Sequence, residues 1–170
     1  MPNNYRYYTV AREQLISFLR TQGYTPHPNE VYCPNPEHCW VDVAALKGLD
    51  YWAFEYKSRV DSMRRGLAQC RSYADAFNYV VLVVDRNRVT TSPYFNKLRT
   101  RGFGVWKHDG RRFYAILPPK RRSPLSNMRR VVERQFRHVG SRSVESEVAT
   151  LSNWLQPTVD HRVGSTVPAE

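Results

Sequence analysis

The sequence lacks the features of several large classes of protein. It has 3 cysteines among 170 residues, an odd and small number that does not suggest a disulfide framework. No apolar run approaches the roughly 20 residues that cross a bilayer, and the N-terminus carries no signal-peptide core. No glycine-rich phosphate loop and no nucleophilic serine–histidine pair is visible. We therefore expect a soluble, cytoplasmic protein with no transmembrane segment and no nucleotide cofactor.

Acidic residues are scarce relative to basic ones. The chain has 26 lysines and arginines against 15 aspartates and glutamates, which gives a formal net charge of +11. Such an excess favours a polyanionic partner. Apolar residues make up 41% of the chain, enough for one globular domain with a modest appendage. We expect DNA as the partner and no membrane, with binding to RNA or to an acidic lipid surface as the remaining alternative.

A hairpin in the middle of the chain is the centre of the predicted fold. Its strands are expected at Trp40–Leu46 and Tyr51–Ser58, with Gly48 and Asp50 as the turn formers. The other expected elements are, in chain order, a helix capped by Thr9 that runs to about Gln22, a strand over Glu30–Cys33, a helix capped by Asp61 or Ser62 that runs to about Asn78, a strand over Tyr79–Asp85, a helix over Ser92–Arg101 and strands over Phe103–Lys107 and Arg112–Leu117.

The register of this hairpin gathers charged side chains on one face. Folding about the Gly48–Leu49 bond places Asp42 opposite Glu55, and Lys57 joins them because alternate residues of a strand share a face. Alanines on that face leave room beside the charges. The opposite face carries the predicted core residues Val41, Val43, Trp52, Phe54 and Tyr56. Opposed carboxylates repel each other, so we expect a cation between them, and paired carboxylate oxygens suit Mg²⁺ or Mn²⁺.

Two motifs in this region resemble those of a known nuclease superfamily. Asp42, followed on the next strand by Glu55-Tyr56-Lys57, resembles the PD-(D/E)xK signature, although Val41 stands where the signature has proline. The helix that follows carries Gln69-Cys70-Arg71-Ser72-Tyr73, a QxxxY pattern similar to that of RecB-type and lambda-exonuclease-type nucleases. The resemblance covers roughly residues 9–118. It implies a restriction-endonuclease-like α/β fold, with a mixed β-sheet flanked by helices.

The resemblance also implies a chemistry for the hairpin. Asp42, Glu55 and the backbone carbonyl of Tyr56 would hold Mg²⁺, with Mn²⁺ as a substitute, and Lys57 would hold or polarise the attacking water. Glu13 on the first helix matches an acidic residue that many relatives of this fold place beside the metal. An ordinary solvated glutamate is an equally weighted alternative for Glu13.

The QxxxY helix is expected to present polar groups to the same site. Gln69 and Tyr73 are four residues apart and share a helix face, so the resemblance implies that they help place the strand being cut. The alternative is a packing tyrosine with a surface glutamine beside it. Phosphate contacts are also expected from the arginines of this helix, which are Arg64, Arg65 and Arg71.

Beyond Pro118 the sequence becomes basic and is expected to form a helical extension. A helix is predicted over Leu125–His138 and a second over Ser143–Leu155. DNA-phosphate contacts are expected from Arg129, Arg130, Arg134 and Arg137. The alternative is that both helices pack on the core as scaffolding. The predicted organisation is a nuclease core over 1–118, this extension over 119–156 and a flexible tail over 157–170.

A loop rich in prolines precedes the hairpin and contains potential metal ligands. Cys33, His38 and Cys39, with His27 nearby, could suggest zinc, but their spacing fits a structural zinc site poorly. An ordinary loop with partly buried cysteines is the favoured interpretation.

The predicted function is hydrolysis of DNA by a metal-dependent nuclease. An endonuclease of DNA repair, recombination or restriction is favoured because the chain is small and has no helicase motif, whereas the QxxxY pattern favours a RecB-like exonuclease. A non-catalytic nucleic-acid-binding module with the nuclease fold is a further alternative. A homodimer is left open.

Overall fold

The computed structural model describes residues 3–33, 39–87 and 93–139. The elements are, in chain order, α1 (Asn3–Thr21), β1 (Thr25–Pro26), β2 (Val31–Cys33), β3 (Cys39–Val41), β4 (Val43–Lys47), β5 (Asp50–Lys57), α2 (Met63–Tyr73), β6 (Tyr79–Asp85), α3 (Pro93–Thr100), β7 (Gly104–His108) and β8 (Phe113–Leu117). A further helix, α4, covers 126–139. No described helix is long and apolar enough to cross a membrane.

Six of the strands form one mixed sheet in the order β1-β4-β5-β6-β7-β8. The central strands β5, β6 and β7 are parallel, and the outer pairings are antiparallel. Helices α2 and α3 are the crossovers between the parallel strands. The strands β2 and β3 form a separate two-stranded sheet. The predicted fold class is confirmed: this is a mixed α/β fold with the sheet flanked by helices, compatible with a restriction-endonuclease-like architecture.

Two buried clusters lie on opposite faces of the sheet. Along β6, Val80, Leu82 and Val84 belong to the cluster under α2, α3 and α4, whereas Val81 and Val83 belong to the cluster under α1. This alternation follows from the pleat of a strand that is covered on both faces, and it explains the continuous apolar run.

The hairpin register is the one predicted from the sequence, since Val43 pairs with Phe54 and Ala44 with Ala53. The first strand is nevertheless interrupted at Asp42. Residues before the bend pair with β2, where Val41 lies opposite Val31. Val41 therefore packs in the cluster under α2 and not with Val43, because the bend breaks the alternation of side chains.

The alanine face of the hairpin is not open, which corrects the expectation from the sequence. Ala44 and Ala53 are fully buried in the cluster that α2 covers. Small side chains here allow the helix to approach the sheet. The space that the sequence suggested beside the charged residues is thus filled by protein along most of the hairpin.

Two helix boundaries differ from the prediction. Helix α1 begins at Asn3, before the expected cap at Thr9, and Val10 is 47% exposed while Ala11 takes the buried position. Helix α2 ends at Tyr73 and not at Asn78. Asn78 instead exchanges hydrogen bonds with the backbone of Tyr51, which fixes the start of β6 beside β5.

The described part of the C-terminal extension packs on the core. Val132 of α4 is fully buried, and the Gln135 amide bonds to both the backbone N–H and the carbonyl of Tyr32, at 2.8 and 2.9 Å. The compact unit that contains the sheet runs to Val139. The helix expected over 143–155 and the tail expected over 157–170 lie outside the described residues.

Candidate active site

Asp42 occupies the bend between β3 and β4, where its carboxylate is held by two donors. Its Oδ2 accepts the backbone N–H of Tyr56 at 2.7 Å, and its Oδ1 accepts the hydroxyl of Tyr8 at 2.8 Å. Arg12 donates from Nε to the Asp42 carbonyl at 2.9 Å. Helix α1 therefore fixes both the backbone and the side chain of this aspartate.

Glu55 lies on the central strand β5 and is 1% exposed. Lys57 places Nζ 2.5 Å from its Oε1, and the Tyr73 hydroxyl lies 2.7 Å from its Oε2. The same hydroxyl lies 2.8 Å from the carbonyl of Trp40. A tyrosine hydroxyl has one proton, so both contacts are hydrogen bonds at once when Glu55 is protonated and donates to Tyr73.

The electrostatics of the site oppose a negative charge on both carboxyl groups. Burial raises the pKa of Glu55 to about 8, repulsion from Asp42 adds to the rise, and Lys57 acts against it. Burial also raises the pKa of Asp42, while the hydrogen bonds from Tyr56 and Tyr8 act in the opposite direction. Burial thus disfavours the ionised form of both carboxyl groups, and Lys57 supplies only one positive charge to offset this. A second cation beside them would stabilise the ionised forms.

The donor set fits a hard divalent cation. Each of the four carboxylate oxygens of Asp42 and Glu55 takes part in one hydrogen bond and keeps a second lone pair. Among residues 3–33, 39–87 and 93–139, no group of three or more His, Cys, Asp or Glu side chains is gathered. Magnesium is commonly held by one or two carboxylates with water and substrate phosphate as the other ligands. The two carboxylates present are sufficient for such a site.

Glu13 is not brought to this site. Its side chain is exposed on α1, and the α1 residues that contact Asp42 are Tyr8 and Arg12. Neither of these two was predicted from the sequence. Their spacing of four residues places them on one face of the helix, and this is the signal that could have found them.

Tyr73 has a larger structural role than the sequence suggested. It is fully buried in the cluster under α2, whereas the sequence pattern placed it outside the apolar stripe of the helix. Gln69, one turn earlier, has a buried Oε1 with no hydrogen-bond partner among the described residues. A Cβ on Gly66 would lie 3.2 Å from Lys57 Cγ, so helix α2 lies close to the sheet here. Of the QxxxY pair, Tyr73 contacts Glu55 directly, and the role expected of Gln69 stays a prediction.

We expect Tyr73→Phe to lower both activity and stability, whereas Gln69→Ala lowers activity alone. The first change removes the hydroxyl that links the Glu55 carboxyl group to the Trp40 carbonyl. Loss of these buried hydrogen bonds costs about 1–3 kcal/mol of unfolding free energy. The second removes an amide whose oxygen has no partner among the described residues. Each should slow cleavage by roughly 10- to 100-fold. Melting curves and single-turnover rates measured on both variants would test this, and an unchanged rate in Gln69→Ala would remove Gln69 from the site.

The predicted DNA-binding arginines fall into two groups. Arg129 bonds to Glu133 at 2.7 Å and to the Leu49 carbonyl at 3.3 Å, and it lies over the ring of Tyr51, so its guanidinium ties α4 to the hairpin. The exposed members of the set are Arg64, Arg65 and Arg71 on α2 and Arg130, Arg134 and Arg137 on α4.

The potential zinc ligands are only partly brought together. Cys33 and Cys39 are cross-strand neighbours in β2 and β3, while the ring of His27 packs against Phe136. A hydrogen bond with Cys39 and burial raise the pKa of the Cys33 thiol. His38 lies outside the described residues.

Comparison with known proteins identifies similar folds. No model of a protein family matches the chain, and no curated protein matches its sequence. A protein of unknown function from Silicibacter pomeroyi has a similar structure, with a TM-score of 0.57 and 19% identity over 89% of this chain and 94% of that one. An XisH family protein from Nostoc punctiforme (TM-score 0.47, 14% identity) and an fdxN element excision controlling factor from Anabaena variabilis (0.46, 17%) each align with 59% of this chain and 91% of their own. The similarity to the Silicibacter protein shows a shared fold.

Proposed function

We propose that this protein is a metal-dependent nuclease that hydrolyses phosphodiester bonds in DNA. The observation that supports the proposal most is the group formed by the buried Glu55 and Lys57 and the half-buried Asp42, where strand β5 ends and strand β4 begins. Burying Glu55 and Lys57 beside a third ionisable group costs several kcal/mol that a purely structural site could avoid with apolar residues. A site that must bind a cation beside a phosphate requires them.

Each residue has a distinct role in this proposal. Asp42 and Glu55, with the carbonyl of Tyr56, would hold Mg²⁺ or Mn²⁺, which stabilises charge on phosphoryl oxygens and lowers the pKa of bound water. Lys57 would hold or polarise the attacking water and offset the developing negative charge. Tyr8 and the Tyr56 N–H keep the Asp42 carboxylate in place.

The experiment that tests the function uses substrates with and without ends. The full-length protein is incubated with supercoiled plasmid, circular single strands, linear duplex and four-way junctions, in Mg²⁺, Mn²⁺ or EDTA. We expect metal-dependent nicking of the circles, which have no ends and therefore resist an exonuclease. Cleavage of the linear DNA alone would support the RecB-like alternative. Binding without cleavage in every condition would support the non-catalytic module.

The exposed arginines of α4 are expected to contribute non-specific DNA affinity. Replacing Arg130, Arg134 and Arg137 with glutamine should lower the slope of log affinity against log salt by about 0.9 for each phosphate that the variant no longer neutralises. Arg129→Gln is the matched control, because its guanidinium is bound within the protein and its removal should lower the melting temperature more than the salt slope. An unchanged slope of log affinity against log salt in the triple variant would show that α4 has only a structural role.

A further inference from the structure

A cationic cleft of about 340 Å³ lies between α2 and α3. It is lined by Arg64, Leu67, Ala68 and Arg71 of α2 and by Tyr94 and Lys97 of α3. Three of these six described residues carry positive charge and none carries negative charge. Lys97 and Tyr94 were not among the residues that the sequence singled out. A concave site with this charge is suited to an anion with several oxygens.

The cleft is on the opposite flank of α2 from the candidate active site. Successive residues of a helix are rotated by about 100°, so Arg64 and Arg71 lie on one flank, and Gln69 and Tyr73 lie on the other. Tyr73 marks the active-site flank because it contacts Glu55. The two sites are therefore separated by the width of one helix, about 10–12 Å with side chains.

One end of the cleft nevertheless lies towards the edge of the sheet that carries the candidate active site. Helix α2 follows β5 and α3 follows β6, and these strands are parallel. The first turns of both helices, which carry Arg64 and Tyr94, therefore begin near the edge where Glu55 and Lys57 lie. Ligands of parallel α/β sheets commonly bind at this edge. A ligand that reaches the carboxylates can thus also reach the cleft.

We propose that the cleft binds the sugar-phosphate backbone of a second DNA segment, distinct from the backbone that is cut. The inference rests on the proposed function in that it takes DNA as the substrate. Arg64 and Arg71 present forked donors that match phosphate oxygens, Lys97 adds a point charge, and Tyr94 offers an apolar ring to a sugar. The two backbones of B-DNA border grooves about 6 and 12 Å wide, which is comparable to the width of α2. The expected substrate is therefore duplex or branched DNA and not an isolated single strand.

Fluorescence anisotropy in EDTA tests the cleft without requiring cleavage. The full chain and the double variant Arg71→Gln/Lys97→Gln are titrated with a labelled duplex and with a single strand of equal length, over a range of salt. The matched control, Arg20→Gln/Arg99→Gln, removes the same charge from exposed positions. At 100° per residue, Arg99 is on the opposite side of α3 from Tyr94 and Lys97. We expect the cleft variant to bind the duplex at least tenfold more weakly, with a salt slope lower by about 1.8, at 0.9 for each of two phosphates. We expect its affinity for the single strand to fall less than threefold.

Four outcomes separate the proposal about the cleft from the proposed nuclease function. An equal fall in affinity in the cleft variant and the control would show a general charge effect. An equal fall in the affinity for duplex and for single strand would show that the cleft does not bind a second backbone. If DNA binding depends on the cleft but the wild-type protein cuts no DNA with Mg²⁺ or Mn²⁺, the proposed nuclease activity is contradicted and the proposed role of the cleft is supported. If the wild-type protein cleaves DNA and the cleft variant binds DNA with wild-type affinity, only the proposed role of the cleft is contradicted.

Discussion

Replacing Glu55 with glutamine is expected to lower metal-dependent cleavage by roughly a thousandfold or more, with little loss of stability. Glutamine has the shape of the protonated glutamic acid. Its oxygen can accept from Lys57, and its amide can donate to Tyr73, which then donates to the Trp40 carbonyl. The hydrogen bonds of the metal-free site survive, whereas the negative charge that a cation needs does not. Asp42→Asn should have a similar effect on cleavage.

Glu13→Gln is the control that tests whether Glu13 is a metal ligand or an exposed residue outside the site. The resemblance offers Glu13 as a metal ligand, with a solvated glutamate as the equally weighted alternative, and the structure leaves its side chain exposed. We therefore expect this variant to cleave at the wild-type rate. Single-turnover cleavage of a plasmid, with circular dichroism melts in EDTA, would compare the three variants. Wild-type rates in folded Glu55→Gln would show that the carboxylate pair does not carry the reaction. A large loss of activity in Glu13→Gln would return that residue to the site.

Metal affinity should rise about tenfold per pH unit between pH 6 and 8 and then level off. Because burial raises the pKa of Glu55 to about 8, the metal-free site holds a proton at neutral pH that a cation must displace. The total change over these two units is roughly a hundredfold. Titration calorimetry with Mn²⁺ in buffers of different ionisation enthalpy would measure the released proton. An affinity that stays constant from pH 6 to 8 would contradict the raised pKa.

The raised pKa of Glu55 also makes the stability of the metal-free protein depend on pH. The folded-state pKa of Glu55 lies above the ordinary value of 4.5, so the folded protein binds the proton more tightly than the unfolded chain. This contribution is fully present below the unfolded value and is lost as the pH rises through 8. The melting temperature in EDTA should therefore fall as the pH rises from about 5 to 8. In Glu55→Gln this fall should be smaller, because the titrating group is gone.

The sequence was sufficient for the features that depend on local pattern. The alternation of side chains and the Gly48 turn indicated the hairpin register, which placed Asp42 near Glu55 and Lys57. The apolar run over Tyr79–Asp85 indicated a central strand with the observed bounds. These predictions succeeded because pleat, turn geometry and helix period are properties of neighbouring residues.

The tertiary structure decided which other groups meet at the site. Tyr8 and Arg12 reach Asp42 across 34 and 30 positions of sequence, and Lys97 reaches the flank of α2, through helix packing that no local pattern specifies. Burial likewise depends on the whole fold, and it is what raises the pKa of Glu55. The sequence by itself therefore determined the register of the hairpin and the candidate charged triad, because these follow from periodicity. Only the packed structure determined which carboxyl groups are desolvated and which helices hold them.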